Sequence, residues 1–293
     1  MASNDKPLST WLALREAADD ASRSQRLTQM AASHLALRKE VAILDLATGA
    51  GSNLRYLIEH LPAVQKWTVV DRDPQLLEQL LARTTDWATE RGYEVRRAAG
   101  DAFAIRGPRL DCVVQPVLRD LGSIDQPELF RGRQLITASA LLDLVSPSWL
   151  RVLAAHCRQA GAAALITITY DGRSPCAPAD PEDDIVRELF NRHQRTDKGL
   201  GGAAAGPDAV ASAAAAFEAA GYVVERERSD WVIEPGATEL QRALIDGWAS
   251  AATEMAPEIS TQIANWRLRR LQHLAEGGSL LVVGHEDILA LPS

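Results

Sequence analysis

The feature that most constrains this chain is the junction between Val41 and Gly51. An apolar run, Val41-Ala42-Ile43-Leu44-Asp45-Leu46-Ala47, closes on Thr48-Gly49-Ala50-Gly51. The run does not alternate apolar with polar as a half-solvated strand would, so it reads as a strand buried on both faces that enters a glycine turn. A helix-forming segment from about Asn53 to Glu59 follows and is ended by Pro62. Strand, glycine turn and helix in this order open a βαβ unit, which points to the α/β class.

The same rhythm continues downstream. A second strand, Trp67–Val70, stops at Asp71, and Pro74 opens a helix from Gln75 to about Glu90. Tyr93 to Leu118 is rich in β-formers broken at Gly100 and Gly107, which predicts a hairpin leading into a third core strand, Leu110–Leu118. Leu135–Ala138 and Ala162–Tyr170 read as the fourth and fifth strands, separated by a helix from Pro147 to about Gln159. A helix at Ala209–Ala220 leads through Gly221 to a strand at Tyr222–Arg228. Two amphipathic helices, about Glu239–Met255 and Glu258–Ala275, precede a last strand at Leu280–Val283. Residues 8 to 36 read as two short helices. Strand–helix alternation of this kind predicts a doubly wound parallel sheet covered on both faces. No internal repeat is visible.

Bulk properties narrow the function. A chain of 293 residues with a formal net charge of −8 presents a surface that repels phosphate backbones, which argues against a nucleic-acid partner. Cys112, Cys157 and Cys176 show no CxxC spacing, so no disulfide framework and no metal site is expected. The polar start, Met1 to Trp11, has no apolar core of a signal peptide, and the longest apolar runs, such as Ala160 to Thr169, are about half a membrane span. A cytoplasmic protein without a membrane partner is expected.

The glycine turn admits two ligands. A dinucleotide fingerprint needs a third glycine where Leu54 stands, and it seldom tolerates an acid four residues before the first glycine, where Asp45 lies, because pyrophosphate would be repelled. S-adenosylmethionine carries an ammonium and a sulfonium, to which a carboxylate is attractive. Asp71, 20 residues beyond Gly51 at the end of the second strand, can accept both ribose hydroxyls of an adenosine. The simpler alternative is that Asp71-Arg72-Asp73-Pro74 only caps the following helix.

Asp45-x-Ala47-x-Gly49-x-Gly51 followed by Val69-Val70-Asp71 resembles motifs I and II of the class I S-adenosylmethionine-dependent methyltransferases. The resemblance covers roughly residues 36 to 170. Ala47 departs from it, since the family more often has glycine there. What the resemblance implies is a Rossmann-like, mostly parallel seven-stranded sheet with an antiparallel terminal strand. An N-terminal helical cap (1–36) would precede a methyltransferase domain (37–293) with a lid insert at about 171–206 and a helical insert at about 237–277. It further implies a cofactor site of Asp45, Ala47, Gly49, Gly51, Asn53, Asp71, Arg72 and Ser139. An acid after the third strand would receive the adenine amino group, with a neighbouring backbone N–H to the ring. Asp120, with Leu121 beside it, is preferred over Asp101, which would leave 34 residues before the fourth strand, too many for one short crossover. Asp101 at a hairpin turn is the alternative.

Ligands of open parallel sheets bind beyond the carboxyl ends of the strands. Ser139 and Asp143 follow the fourth strand there, and Tyr170 ends the fifth; each acid or hydroxyl is either substrate-facing or a solvated structural group. Asp180 and Pro181 are expected to start a helix on which Val186, Leu189, Phe190 and His193 share one face. His193 is the first choice of general base, and Arg192, Arg195 and Lys198 could clamp an acidic acceptor. The glycine-rich segment Gly199–Gly206 is expected to be a mobile hinge; a partly buried histidine beside a solvated charge run is the plain alternative. Trp248 and Trp266 belong to a pocket wall, a dimer face or the core. The expected function is methyl transfer from S-adenosylmethionine to an oxygen, nitrogen or carbon of a small molecule, leaving S-adenosylhomocysteine. The alternatives are a non-catalytic S-adenosylmethionine-binding regulator or partner protein and, further off, an NAD(P)-dependent oxidoreductase.

Overall fold

The computed structural model describes residues 8–293, so the first seven residues of the expected cap lie outside the described residues. Helices α1 (Leu8–Ser22) and α2 (Gln25–Leu35) precede β1 (Val41–Leu46), α3 (Ser52–Ile58), β2 (Val64–Asp71) and α4 (Pro74–Glu90). Then come β3 (Glu94–Arg97), β4 (Phe103–Gly107), β5 (Leu110–Leu118), α5 (Pro127–Phe130), β6 (Leu135–Ser139), α6 (Pro147–Ala160), β7 (Ala163–Tyr170), β8 (Cys176–Ala177) and α7 (Asp183–Gln194). The chain ends with α8 (Ala209–Ala219), β9 (Tyr222–Arg228), β10 (Trp231–Ile233), α9 (Thr238–Met255), α10 (Ser260–Ala275), β11 (Leu280–Val283) and β12 (His285–Pro292).

Nine strands form the main sheet in the order β3-β4-β5-β2-β1-β6-β7-β12-β9. The expected seven-stranded, mostly parallel sheet is its part from β5 to β9, and the hairpin strands β3 and β4 extend it at one edge. Strands β5, β2, β1, β6 and β7 pair in parallel, whereas β12 runs antiparallel to both β7 and β9. Strand order reverses between β1 and β6, and a crevice beyond their carboxyl ends is where such sheets bind ligands.

The sequence dictates this sheet through alternation. In β1, Val41 and Ile43 enter the core on one face with Leu54, Leu57 and Trp67, while Leu44 and Leu46 enter the other with Ile136, Ile166 and Leu153. Burial of each such side chain contributes about 1.5–3 kcal/mol, so both faces must be covered. Helix starts follow ordinary capping chemistry. Asp73 accepts from Gln75 N at 2.8 Å, Ser24 from Leu27 N at 3.0 Å and Ser146 from Trp149 N at 3.2 Å.

Three expectations require correction. The last strand is His285–Pro292 and not Leu280–Val283, which instead pairs with β10 and β8 in a separate three-stranded sheet. Gly284 is the break: a Cβ there would lie 2.2 Å from Asp171 Oδ1, so only glycine lets the chain pass from one sheet to the other. Helix α7 starts at Asp183 rather than at Asp180, because the Asp180 carboxylate is held by Arg269 at 2.6 Å. The Gly199–Gly206 segment is seated rather than loose. Ser146 N donates to Leu200 O at 3.1 Å, Ala205 N donates to Val145 O at 2.8 Å, and Leu200 and Ala205 are buried. Trp266 is core, with its Nε1 donating to Asp183 Oδ1 at 2.8 Å.

Candidate active site

Among the described residues, three other than glycine have left-handed backbone, and all three stand toward the carboxyl ends of central strands: Ala47 (φ 53°), Ala140 (φ 52°) and Ile168 (φ 55°). Such conformations cost about 1–3 kcal/mol each and persist only where the surroundings impose them. For Ile168 the restraint is visible. Its N–H donates to Asp287 Oδ1 at 2.7 Å, and the other oxygen of that buried carboxylate accepts from Ser24 N at 2.8 Å. Ala47 stands where the methyltransferase motif usually has glycine, and its positive φ shows what that glycine is for. The three bends line two adjoining cavities.

The first is a cleft of about 260 Å³ beside the glycine turn, bounded by Ala47, Gly49, Asp71, Arg72, Leu121 and Ser139, with Leu76 and Leu200 as apolar walls. Gly49 N donates to Asp71 Oδ2 at 2.7 Å, and Asp73 N donates to Asp71 Oδ1 at 2.9 Å. Asp71 therefore does not cap α4, which is the work of Asp73; it braces the turn and faces the cleft. Helix α1 roofs the cleft. Leu12 comes so near the turn that a Cβ on Gly49 would lie 3.1 Å from its Cδ1. Gly51 serves packing instead, since a Cβ there would strike Leu80 at 2.2 Å.

Beneath the turn lies a buried polar network. Asn53 donates to Asp45 Oδ1 at 2.7 Å and to Thr137 Oγ1 at 3.1 Å, while Arg23 donates to Asn53 Oδ1 at 2.6 Å and to Thr167 Oγ1 at 2.8 Å. Asn53 thus braces Asp45, and it also lines a small cavity at the same turn with Ala47, Gly49, Ser52 and Ser139. Burial pushes the Asp45 carboxyl up to about 6. The Thr48 hydroxyl stands beside that carboxylate, and the buried hydroxyls of Ser52 and Ser139 at the same turn have no hydrogen-bond partner. Buried polar atoms are nearly always satisfied, so unpartnered hydroxyls around one turn leave polar capacity for a ligand.

Residues 120 and 121 divide their work. Leu121 lines the cleft and its carbonyl accepts from Trp149 Nε1 at 2.8 Å; Asp120 is exposed at the rim and accepts from Gly122 N at 3.0 Å. Asp101 lies at the β3–β4 turn, in a different groove formed with Pro74, Leu77, Leu81 and Arg97.

The second cavity, about 270 Å³, shares Leu8, Leu12, Arg15, Ala140 and Leu144 with the first. Asp143, in the short turn after β6, and Tyr170, at the end of β7, both line it. Burial raises the Asp143 carboxyl to about 6, against the opposing pull of its own backbone N–H and of Arg15. Gln194 is its side-chain partner, at 3.4 Å. The Tyr170 hydroxyl donates to Asn191 Oδ1 at 2.8 Å, and burial pushes it upward too.

The structure does not bring His193 to this cavity. Its ring faces Lys198 Nζ at 3.4 Å and Glu254 at 3.5 Å, and burial followed by the Lys198 charge lowers its pKa. Arg195 is occupied by Asp208 at 2.9 Å, Arg192 is exposed, and Lys198 donates to His193 O at 2.9 Å. These residues form no clamp around the chamber.

Two site residues escaped the sequence reading. Arg15 lies at the junction of both cavities and pairs with Asp19 at 3.2 Å. His285 is buried in the second cavity, where burial, then the Arg15 charge, drives its pKa down to about 3. Among the described residues no cluster of His, Cys, Asp and Glu could hold a metal ion, and no helix is long and apolar enough to cross a membrane.

No protein-family model matches the sequence, and no curated protein matches it. Solved structures with a related chain path include the YcgJ protein from Bacillus subtilis, with 13% identity, TM-score 0.47, and coverage of 92% of this chain and 100% of that one. An S-adenosylmethionine-dependent methyltransferase from Geobacter sulfurreducens in complex with S-adenosylhomocysteine has 13% identity and TM-score 0.46, over 98% of this chain and 99% of that one. A second such methyltransferase, from Thiobacillus denitrificans, also with S-adenosylhomocysteine, has 13% identity and TM-score 0.44 over 98% and 99%. At these identities and scores the residue geometry carries the chemistry, and the likeness does not.

Proposed function

We propose that this protein is an S-adenosylmethionine-dependent methyltransferase acting on a small molecule. The observation that carries this reading is the pair of adjoining cavities at the point where strand order reverses, one built around Gly49 and Asp71 and the other around Asp143, with Ala140 and Arg15 common to both. A donor site and an acceptor site that share a wall are what a direct group transfer requires.

The residues present fit the donor. Asp71 has spare lone pairs for the ribose hydroxyls, and the Asp45 carboxylate beneath the turn matches an ammonium through a bridging water. Leu76, Leu121 and Leu200 offer apolar walls to the adenine, while the Ser139 hydroxyl remains free at the turn. When bound, S-adenosylmethionine supplies a methyl group already activated by the sulfonium charge. The chain then has to position the acceptor, exclude water beneath α1, and take up any proton the acceptor loses.

A non-catalytic binder would have no need of the second cavity, which stands open beside Asp143. A dinucleotide is disfavoured because Leu54, at the place of the third glycine, is fully buried in the core. The reading is tested by calorimetric titration with S-adenosylhomocysteine and with NAD, and by incubating the protein with a metabolite extract and isotope-labelled methyl donor. Labelled small-molecule products support it; NAD binding without S-adenosylhomocysteine binding overturns it.

A further inference from the structure

Six aromatic rings from six different elements form one continuous arc around the second cavity. Trp248 of α9 meets Phe190 of α7 at 6.4 Å between centroids, Phe190 meets Tyr170 of β7 at 5.4 Å, and Tyr170 meets His285 of β12 at 6.3 Å. His285 meets Trp231 of β10 at 4.8 Å, and Trp231 meets Trp11 of α1 at 6.3 Å. Among the described residues the only acid lining this chamber is Asp143, 7% exposed.

Asp143 has no salt-bridge partner among the described residues, although buried charges are normally paired. The nearby cations are occupied elsewhere: Arg15 by Asp19 at 3.2 Å, and Lys198 by His193 O and Thr196 Oγ1, each at 2.9 Å. Gln194 supplies one long hydrogen bond and no charge. His285 is neutral, its pKa driven down to about 3 by burial, and does not offset the acid. Tyr170 has committed its proton to Asn191. Aromatic rings lining a chamber around a carboxylate that lacks a salt-bridge partner are a recognition set for an ammonium group.

Building on the methyltransferase reading, we propose that the acceptor is an amine on an apolar body, bound as its ammonium form by the aromatic arc with Asp143 as counter-ion. An apolar cavity of about 150 Å³ admits benzene, so one of about 270 Å³ holds a body of one to two rings. Asp143 is also placed to receive the proton that must leave before transfer. It takes the ammonium proton and becomes a neutral acid, and the freed nitrogen lone pair forms the new N–C bond. The carbon–sulfur bond of the methyl donor breaks with its electron pair left on sulfur, so the positive charge passes from sulfur to the methylated nitrogen.

The test uses the full chain saturated with S-adenosylhomocysteine and three probes: 2-phenylethylammonium, its N,N,N-trimethyl derivative and the neutral 2-phenylethanol. Binding is read from tryptophan fluorescence and calorimetry. Both cations are expected to bind at least about 10-fold more tightly than the alcohol. In Asp143→Asn this preference falls to within about 3-fold, while S-adenosylhomocysteine affinity stays within about 3-fold of the parent. Equal or tighter binding of the alcohol by the wild type overturns the proposal, as does a cation preference that survives Asp143→Asn. If Asp143→Asn fails to fold, the wild-type ratio decides alone. Failure of S-adenosylhomocysteine to bind, with the cation preference intact, sinks the methyltransferase reading and leaves the ammonium site standing.

Discussion

The backbone N–H of Gly49 donates to Asp71 Oδ2 at 2.7 Å, joining the turn after β1 to the end of β2. Asp71 is therefore both a brace for the turn and a wall of the cleft beside it. Asp71→Ala should weaken S-adenosylhomocysteine binding by about 2–3 kcal/mol, the scale of charge-assisted hydrogen bonds lost together. Asp71→Asn should lose less. Unchanged affinity by calorimetry would remove Asp71 from the site.

Leu121 lines the cleft beside the glycine turn and Asp120 stands at its rim, whereas Asp101 belongs to another groove. Asp120→Ala should raise the S-adenosylhomocysteine dissociation constant several-fold, and Asp101→Ala should leave it within error. The reverse order would place the adenine against the hairpin.

His193 faces Lys198 and Glu254 outside the chamber. His193→Ala should therefore keep turnover per folded molecule within about 3-fold, far from the 10²-fold or greater loss expected of a general base. A large fall in turnover with an unchanged melting temperature would restore it as the base.

His285 sits among Arg15, Arg173 and Asp230 with its pKa near 3, against 6.5 in the unfolded chain. Below pH 6.5 the unfolded chain takes up a proton that the folded chain refuses, so stability present above 6.5 is lost as pH falls toward 3. Asp45 and Asp143, held up at about 6, act in the opposite sense between about pH 4 and 6. Comparing wild type with His285→Gln isolates the histidine. The wild type should lose stability relative to the variant by up to about 1.4 kcal/mol per pH unit below 6.5. A constant difference from pH 7 to 4.5, measured by denaturant unfolding, would show that the ring is protonated in the fold.

Ala47 holds φ at 53° without glycine's freedom. Ala47→Gly relieves strain of about 1–2 kcal/mol and adds about 0.4–1 kcal/mol of unfolded-chain entropy, so stability should rise by about 0.5–1 kcal/mol. A lower denaturation midpoint would mean that the Ala47 methyl packs more than it strains.

The geometry of the glycine turn was legible because it depends on local order. A buried run, two glycines and an acid at the next strand end must fall together once β1 and β2 pair in parallel. The hairpin before β5 was legible for the same reason, through Gly100 and Gly107. The acceptor half depends on packing between distant elements. Helical periodicity put His193 on the apolar side of α7, yet the next residue, Gln194, is the one that reaches Asp143, because successive residues turn about 100° around a helix. His285 was hidden because the last strand was read at Leu280–Val283, and only the crowding at Gly284 shows that a second strand follows it. Arg15 and Arg23 look like solvent-facing charges on short helices. Their burial arises when α1 and α2 close over β1 and β7.

The six-ring arc has a consequence for how the protein comes into being. Its first member, Trp11, and its last, His285, are nearly the whole chain apart, and the others come from elements in between. The turn at Gly49 needs only β1 and β2, which lie close together in the chain, whereas the arc closes only when β12 has paired with β7. Closing the chamber is therefore coupled to the pairing of greatest sequence separation in the main sheet, which makes it the slower half of the site to form.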